Sequence, residues 1–275
     1  MLKNKLIFIP ISILVISLLQ SCNFNTAKKI QDPKMKYTKA LEYYEEGKYA
    51  KTQILLEDII LSLKMTKEGE DALYKYADSY YRMKDYILAG YYFRKYVEDY
   101  PKGEKTETSQ FMSAKCYYLD APKSKLDQQA TLIALQEFEL FITKYPESQK
   151  ISECNEYIDQ LRDKLEVKSY ENSKLYYDIG YYQAASIALN NSLKEFPDSK
   201  FKEDILYYIL LSDYKYAKNS ILSKQAERFN DVIKAYDKLV KKYPESKYIK
   251  EAENIYTESK EVITKADKKA EQNNT

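Results

Sequence analysis

The chain has 275 residues, 44% of them apolar and 31% charged, and its formal net charge is +2. This composition can form one large or two small globular domains, and the balanced charge provides no basic field for nucleic acid. The sequence contains no histidine, the usual general base and commonest metal ligand, and its five glycines form no phosphate loop. We therefore expect a non-enzymatic protein without a cofactor, and the scarcity of glycine favours an all-helical chain.

The first 21 residues have the pattern of a signal peptide. A basic start precedes an apolar run at residues 6–19, which suits a signal-peptide core and is short for a membrane span. The run leads into LLQSC, which resembles the lipobox of bacterial lipoproteins, so Cys22 is the predicted site of lipid attachment. The alternative is an ordinary signal peptide followed by an unremarkable cysteine. Residues 22–34 are polar and lack apolar periodicity, which indicates a lipidated tether.

A phrase that ends in proline recurs four times in the following chain. Each proline follows a large apolar residue by eight positions and a small or β-branched residue by twelve. The aligned prolines are Pro101, Pro146, Pro197 and Pro244. Positions four apart share a helix face and proline ends a helix, so each phrase predicts a helix, a turn and a further helix. The spacing is similar to that of the tetratricopeptide repeat, and it predicts an all-α superhelix, or solenoid, of about five helical hairpins over residues 35–265, followed by a polar tail at 266–275.

Several positions add detail to this repeat pattern. The first repeat has Lys64 where proline is expected, and the third carries the insertion LDAPKSKLDQQAT between its helices. Residues 149–180 predict one long helix. A serine follows three of the prolines and is expected to cap the next helix. Cys116 and Cys154 lie in apolar helical registers, which favours small buried side chains, although a disulfide between them remains open.

Tyrosine, with 30 copies, is the most informative residue type for function. In tetratricopeptide folds, positions 5 and 12 of the first helix of each hairpin face the concave groove, and here they are mostly aromatic. The predicted peptide-binding groove contains Tyr37, Tyr44, Tyr74, Tyr81, Phe111 and Tyr118, with Arg82 and Lys115 as cations for a terminal carboxylate. Such rings supply contact area, and their hydroxyls can hydrogen-bond a peptide backbone. The alternative is that these rings only fill the space between helices.

The lipobox, the tether and the five repeats together resemble the BamD family, the lipoprotein component of the outer-membrane β-barrel assembly machine. The most specific segments are LDQQATLIALQEFELFITKYPES, LRDKLEVKSYENSKLYYDIGYYQAASIALNNSLKEFPDS and ERFNDVIKAYDKLVKKYPESKY. The resemblance implies a scaffold without enzymatic activity, lipid-anchored at the periplasmic face of the outer membrane. It further implies two partners, which are the periplasmic domains of an Omp85-type barrel protein, contacted through the C-terminal repeats, and the unfolded C-terminal segments of outer-membrane precursors. Other assembly lipoproteins are candidate partners.

Two other functions compete with this interpretation. A glycan-binding nutrient-uptake lipoprotein can also use tetratricopeptide helices, but such proteins are typically longer and stack sugars on tryptophan, which this chain lacks. A repeat lipoprotein that scaffolds peptidoglycan or pilus assembly is excluded only weakly. Affinity purification from solubilised envelopes discriminates among the three, because the main partner would be an Omp85-type barrel, a glycan or a peptidoglycan enzyme.

Overall fold

The structure, a computed structural model, describes residues 24–273. The predicted signal peptide and Cys22 lie outside the described residues. Across residues 24–273 the regular structure is helical and no strand occurs, which confirms the all-α prediction. The main helices are α1 Pro33–Glu45, α2 Tyr49–Glu57, α3 Lys67–Arg82, α4 Tyr86–Asp99, α5 Thr106–Asp120, α6 Gln129–Lys144, α7 Ile151–Asp178, α8 Tyr182–Glu195, α9 Lys202–Lys218, α10 Leu222–Lys242 and α11 Ile249–Asn273. No helix in this part of the chain is both long enough and apolar enough to cross a bilayer.

The chain divides into two compact units, Met1–Leu161 and Arg162–Thr275. In the first unit α1 packs on α2, α3 on α4 and α5 on α6, and each hairpin contacts the next. In the second unit α9 packs on both α8 and α10, and α11 packs on α10. The helix α7 is continuous over 28 residues, as its apolar pattern predicts. Within each unit, the core therefore arises from successive hairpins that bury one another's apolar faces.

The recurring small and large residues of the repeat phrase are core residues. The four small or β-branched positions are Ala89, Ala134, Ala185 and Val232, and all are fully buried. Three of the large positions, Phe93, Phe138 and Leu189, are also fully buried. A small residue one turn before a large one lets a neighbouring helix approach, and the large side chain fills the groove beside it.

The serine that follows three of the prolines orders the turn between hairpins. Its hydroxyl donates to a glutamate of the preceding first helix and accepts the N–H of the residue two positions later. The pairs are Ser148 with Glu107 at 2.6 Å, Ser199 with Glu166 at 2.6 Å and Ser246 with Glu203 at 2.7 Å. The amides that they bind, those of Lys150, Phe201 and Tyr248, each belong to the residue before the next helix. These serines therefore fix the turn ahead of the helix and do not occupy its N-cap position.

The turn after the first hairpin has no proline, and a different set of contacts fixes its conformation. Helix α2 ends early, and Met65 adopts a left-handed φ of 67°. Lys64, which replaces the proline, pairs with Asp99 at 2.8 Å, while Leu63 is buried. The carbonyl of Leu63 lies against Gly69 in the first turn of α3, where a Cβ atom would be 2.6 Å from the Leu63 carbonyl carbon. A glycine contact thus takes the place of the proline in positioning the next hairpin.

The described part of the predicted tether is largely ordered against the first hairpin. Residues 24–28 form a helical turn, in which Ala27 is buried and Phe24 packs on the core of α1 and α2. Pro33 then begins α1, with Asp32 capping it by accepting the Met35 N–H. The polar composition of this segment concealed its two apolar contacts, through Phe24 and Ala27, with the first hairpin.

The cysteines Cys116 and Cys154 are free thiols, and both are fully buried. Burial raises the pKa of Cys116 to about 12 and that of Cys154 to about 11. Both behave as small core residues, as their registers predict.

Candidate functional site

The tyrosines of α1 connect it to the first helix of the next hairpin. Tyr37 donates its hydroxyl to Asp71 at 2.7 Å, and Tyr44 donates to Asp78. Both acceptors lie on α3, and each is 34 residues after its donor. Burial, followed by the hydrogen bond to Asp71, raises the pKa of Tyr37, so its hydroxyl remains protonated and donating. Tyr37 and Tyr44 are seven residues apart, and each links α1 to the first helix of the next hairpin. We call such a side-chain hydrogen bond between neighbouring first helices a tyrosine tether.

The same arrangement recurs in the second unit. Tyr207 of α9 donates to Glu251 of α11 at 2.7 Å, and Tyr214 donates to Glu258 at 2.6 Å. Donors and acceptors are again seven residues apart along their helices. Lys218 adds an ion pair with Glu258 at 3.0 Å. A hydrogen bond to a charged acceptor is stronger than one between neutral groups, so these contacts stabilise the packing of successive hairpins.

The predicted groove residues of α5 mostly make internal contacts. Phe111 is only 4% exposed and packs edge-on against Phe138 and Phe141, so the structure places it in the core and the prediction of a groove-lining ring is wrong there. Lys115 bonds Glu153 at 2.9 Å, and Tyr118 donates to Gln160 at 2.5 Å. Both acceptors belong to α7, so Lys115 and Tyr118 repeat the tether seen between α1 and α3.

The corresponding residues of α3 are different, because their polar groups remain available. Tyr74 is half-buried, with its ring edge-on to Phe93 and Tyr96. Tyr81 is half-buried and contacts Tyr86 at 5.8 Å between ring centroids. Among the described residues, neither the Tyr74 nor the Tyr81 hydroxyl makes a hydrogen bond.

Two cations flank these rings. The Arg82 Nε donates to Asp78 at 3.1 Å, while its side chain stays 54% exposed. Lys105, from the turn after α4, holds its ammonium 4.3 Å from the centroid of the Tyr74 ring. We call Tyr74, Tyr81, Arg82 and Lys105 the α3 surface. It combines two aromatic rings, two uncommitted hydroxyls and two cations, which is suited to an extended peptide with a terminal carboxylate.

A polar cleft of about 250 Å³ adjoins the α3 surface at Lys105. It is lined by Lys67, Glu70, Asp71, Tyr96, Glu104 and Lys105. Glu70 accepts hydrogen bonds from the Tyr96 hydroxyl and from the backbone N–H of Glu104, which fixes the wall of the cleft. Sequence reasoning missed Lys105, because its approach to Tyr74 depends on the path of a turn rather than on helical spacing.

An apolar surface lies at the C-terminal end of α7 and on Ile179, the residue that follows the helix, in the second unit. Leu175 is 53% exposed, Tyr176 44% and Ile179 55%, and together with Asn172 they line a shallow concavity. Large apolar side chains grouped on a surface typically mark a protein contact. No cluster of metal-ligating side chains occurs within the described ranges of the chain.

Comparisons with known proteins found a matching family model and a curated relative. A family model described as an outer membrane lipoprotein, YfiO, matches residues 29–228 and also residues 176–271. A curated protein of Aquifex aeolicus (strain VF5), named putative outer membrane protein assembly factor BamD, is 28% identical over 220 residues. That similarity covers 77% of this chain and 70% of the relative. The residues matched by the family model include the α3 surface and the tyrosine tethers.

Proposed function

Because the chain belongs to the YfiO family of outer membrane lipoproteins, we propose that it is a lipid-anchored, non-enzymatic scaffold for outer-membrane protein assembly. The name of the Aquifex relative supports assembly as the process. Cys22 is the proposed lipid attachment site, and the body would face the periplasm. The proposed partners are the periplasmic domains of an Omp85-type barrel protein and the unfolded C-terminal segments of barrel precursors.

The α3 surface is the observation that supports binding of barrel precursors. A barrel precursor ends in a strand of alternating aromatic residues with a free carboxylate, and it exposes an unpaired backbone. Tyr81 offers a partly exposed ring and a free hydroxyl, while Arg82 and Lys105 offer positive charge for the carboxylate. The tethered tyrosines Tyr37 and Tyr44 have already donated their hydroxyls to α3. We therefore assign peptide capture to α3 and a supporting role to the neighbouring tethers.

A peptide-binding measurement tests this assignment. The probe is a synthetic peptide with alternating aromatic residues and a free C-terminal carboxylate, compared with the same peptide amidated at its C-terminus. We expect Tyr81→Ala combined with Arg82→Gln to weaken binding of the free-acid peptide by tenfold or more, since one aromatic contact contributes about 2 kcal/mol. Tyr74→Ala is less suitable, because Tyr74 packs on Phe93 and its removal would also disturb the core.

The matched control is Tyr37→Phe, which removes a tethered hydroxyl and keeps the ring. It should lower the melting temperature and leave peptide affinity unchanged. If Arg82 meets the carboxylate, the effects of amidation and of Arg82→Gln will not add, because both remove the same ion pair. Unaltered affinity in the Tyr81→Ala, Arg82→Gln variant would refute peptide capture by α3.

The apolar surface of α7 is the proposed contact for the barrel protein. Leu175 and Ile179 are more than half exposed and belong to the C-terminal unit, which supports this choice because the family resemblance implies contact through the C-terminal repeats. Leu175→Lys with Ile179→Lys should abolish copurification of the barrel protein without unfolding the helix. The control is Leu140→Lys, a change of similar exposure on α6. Equal copurification of the α7 variant and the control would rule out this surface.

A further inference from the structure

The N-terminal turn joins the folded body immediately after the predicted lipid attachment site. The Phe24 ring packs edge-on against Tyr43, with centroids 5.7 Å apart, and Ala27 is 3% exposed. Phe24 is only two residues from Cys22, and two extended residues span at most about 7 Å. The turn that packs on the first hairpin therefore begins only two residues after the residue that would carry the acyl chains.

Four lysine side chains converge on the same two rings. The ammonium groups of Lys28 and Lys51 lie 5.2 and 5.3 Å from the Phe24 centroid. Those of Lys39, Lys48 and Lys51 lie 5.3, 5.8 and 5.5 Å from the Tyr43 centroid. We call Lys28, Lys39, Lys48 and Lys51 the N-terminal lysine patch. Such contacts hold ammonium groups close together, although like charges repel one another.

The charge of this patch is only partly neutralised within the protein. Lys39 forms an ion pair with Glu42, and Lys48 pairs with Glu46 at 2.7 Å. Lys28 and Lys51 have no ion-pair partner among residues 24–268, whose side chains the structure describes. The patch thus retains two uncompensated positive charges beside the point where the described chain begins, and an anionic surface would complement them.

We propose that the N-terminal lysine patch is a second membrane-contact site, which binds the anionic headgroups of the bilayer that holds the acylated Cys22. This inference rests on the proposed lipid attachment. With at most about 7 Å of chain between Cys22 and Phe24, an acylated Cys22 would hold the patch near the bilayer surface, where anionic headgroups act over a Debye length of about 8 Å at physiological ionic strength. A single acyl signal binds membranes weakly, whereas a lipid combined with a basic patch anchors stably. The contact would also fix the first hairpin against the membrane surface.

The test measures vesicle binding by the mature chain with Cys22→Ser. This variant cannot carry acyl chains, so any binding comes from the protein surface. The probes are vesicles of phosphatidylcholine alone and of phosphatidylcholine mixed with phosphatidylglycerol. We expect binding only to the anionic vesicles, and weaker binding at high salt. Each neutralised lysine should weaken binding about fivefold, so Lys28→Gln with Lys51→Gln should weaken it about 25-fold.

The matched control is Lys241→Gln with Lys242→Gln, two exposed lysines of α10. This control also removes two positive charges, at positions far from the patch in the sequence. It should leave vesicle binding unchanged. Equal binding to both kinds of vesicle, or equal losses in the two double variants, would overturn the proposal. A patch that serves an acidic protein partner would show no lysine-dependent binding to vesicles, which also overturns it.

Mass spectrometry of the protein purified from membranes separates this inference from the proposed function. If Cys22 carries acyl chains and the patch variant binds vesicles normally, only the inference fails. If Cys22 carries no acyl chain and vesicle binding still depends on Lys28 and Lys51, the proposed anchor fails and headgroup recognition by the patch is supported.

Discussion

Replacing Gly69 by alanine tests the contact that substitutes for proline in the first repeat. Gly69 lies in the first turn of α3, directly against the backbone of Leu63. An added Cβ would overlap the Leu63 carbonyl oxygen and would be 2.6 Å from its carbonyl carbon and 3.1 Å from the Tyr100 hydroxyl. Two physical effects then compete, since alanine favours the helix while its methyl group has no space.

The steric effect should dominate. Alanine is better than glycine in a helix interior by about 1 kcal/mol, and by less in the first turn. The Leu63 carbonyl cannot move freely, because it accepts the Thr66 N–H at 3.1 Å and the Thr66 hydroxyl at 2.6 Å. Overpacking a tight site costs about 1–3 kcal/mol, and each lost hydrogen bond costs about 1 kcal/mol. We expect Gly69→Ala to lower the free energy of unfolding by about 2–4 kcal/mol.

Thermal unfolding followed by circular dichroism measures this effect. In a protein of this size, about 1 kcal/mol corresponds to 2–4 °C, so a decrease of about 5–15 °C is expected. Lys67→Ala, a change at an exposed position two residues earlier, should alter the melting temperature little. Hydrogen exchange should locate the loss in the turn before α3. An unchanged or higher melting temperature for Gly69→Ala would refute the argument and show that the turn can relax.

Three further predictions concern side chains in both units. Tyr44→Phe should lower the free energy of unfolding by about 1.5–3 kcal/mol because the charged acceptor Asp78 loses one of its two donors, whereas Tyr81→Phe should change it by less than about 0.5 kcal/mol in the same denaturant titration. Burial raises the pKa of Asp213 to about 6, so the folded state binds more protons than the unfolded state between that value and the ordinary 3.8, and stability falls as pH rises through this window. Asp213→Asn should therefore raise the melting temperature at pH values above 6 and have little effect at acidic pH; an equal effect at both would contradict the assignment. Burial should make Cys116 and Cys154 react slowly with a thiol reagent until the protein unfolds, and fast labelling of the native protein would contradict their placement.

The helical pairing could be read from the sequence because it depends on local spacing. Ala89 and Phe93 are one turn apart, so their shared face follows from helical geometry alone, and both are buried as expected. Proline ends a helix through its own covalent structure, so Pro101 locates a turn without knowledge of its neighbours. These rules require no information about distant residues.

The role of the tyrosines could not be read from the same spacing. Tyr44 and Tyr81 occupy equivalent helix positions, yet one hydroxyl is bonded to the next hairpin and the other is free. The difference depends on whether an acidic residue lies opposite on the neighbouring first helix, as Asp78 does for Tyr44. A search for a carboxylate or amide side chain at the facing position of the next first helix would have separated tethers such as Tyr44 and Tyr118 from the available hydroxyl of Tyr81.

The division between tethered and free tyrosines explains how one repeat pattern can serve both stability and recognition. A hairpin stack is stabilised mainly by contacts between neighbours, so each interface requires its own hydrogen bonds as well as apolar packing. Tyr37 and Tyr44 satisfy that requirement between α1 and α3, and their hydroxyls are then unavailable as donors to a ligand. Tyr74 and Tyr81 lack such acceptors, which leaves polar groups at a site already held rigid by the tethers before it. Recognition is therefore expected where the tether pattern is interrupted, because only there can a ligand complete the hydrogen bonds that the repeat leaves unmade.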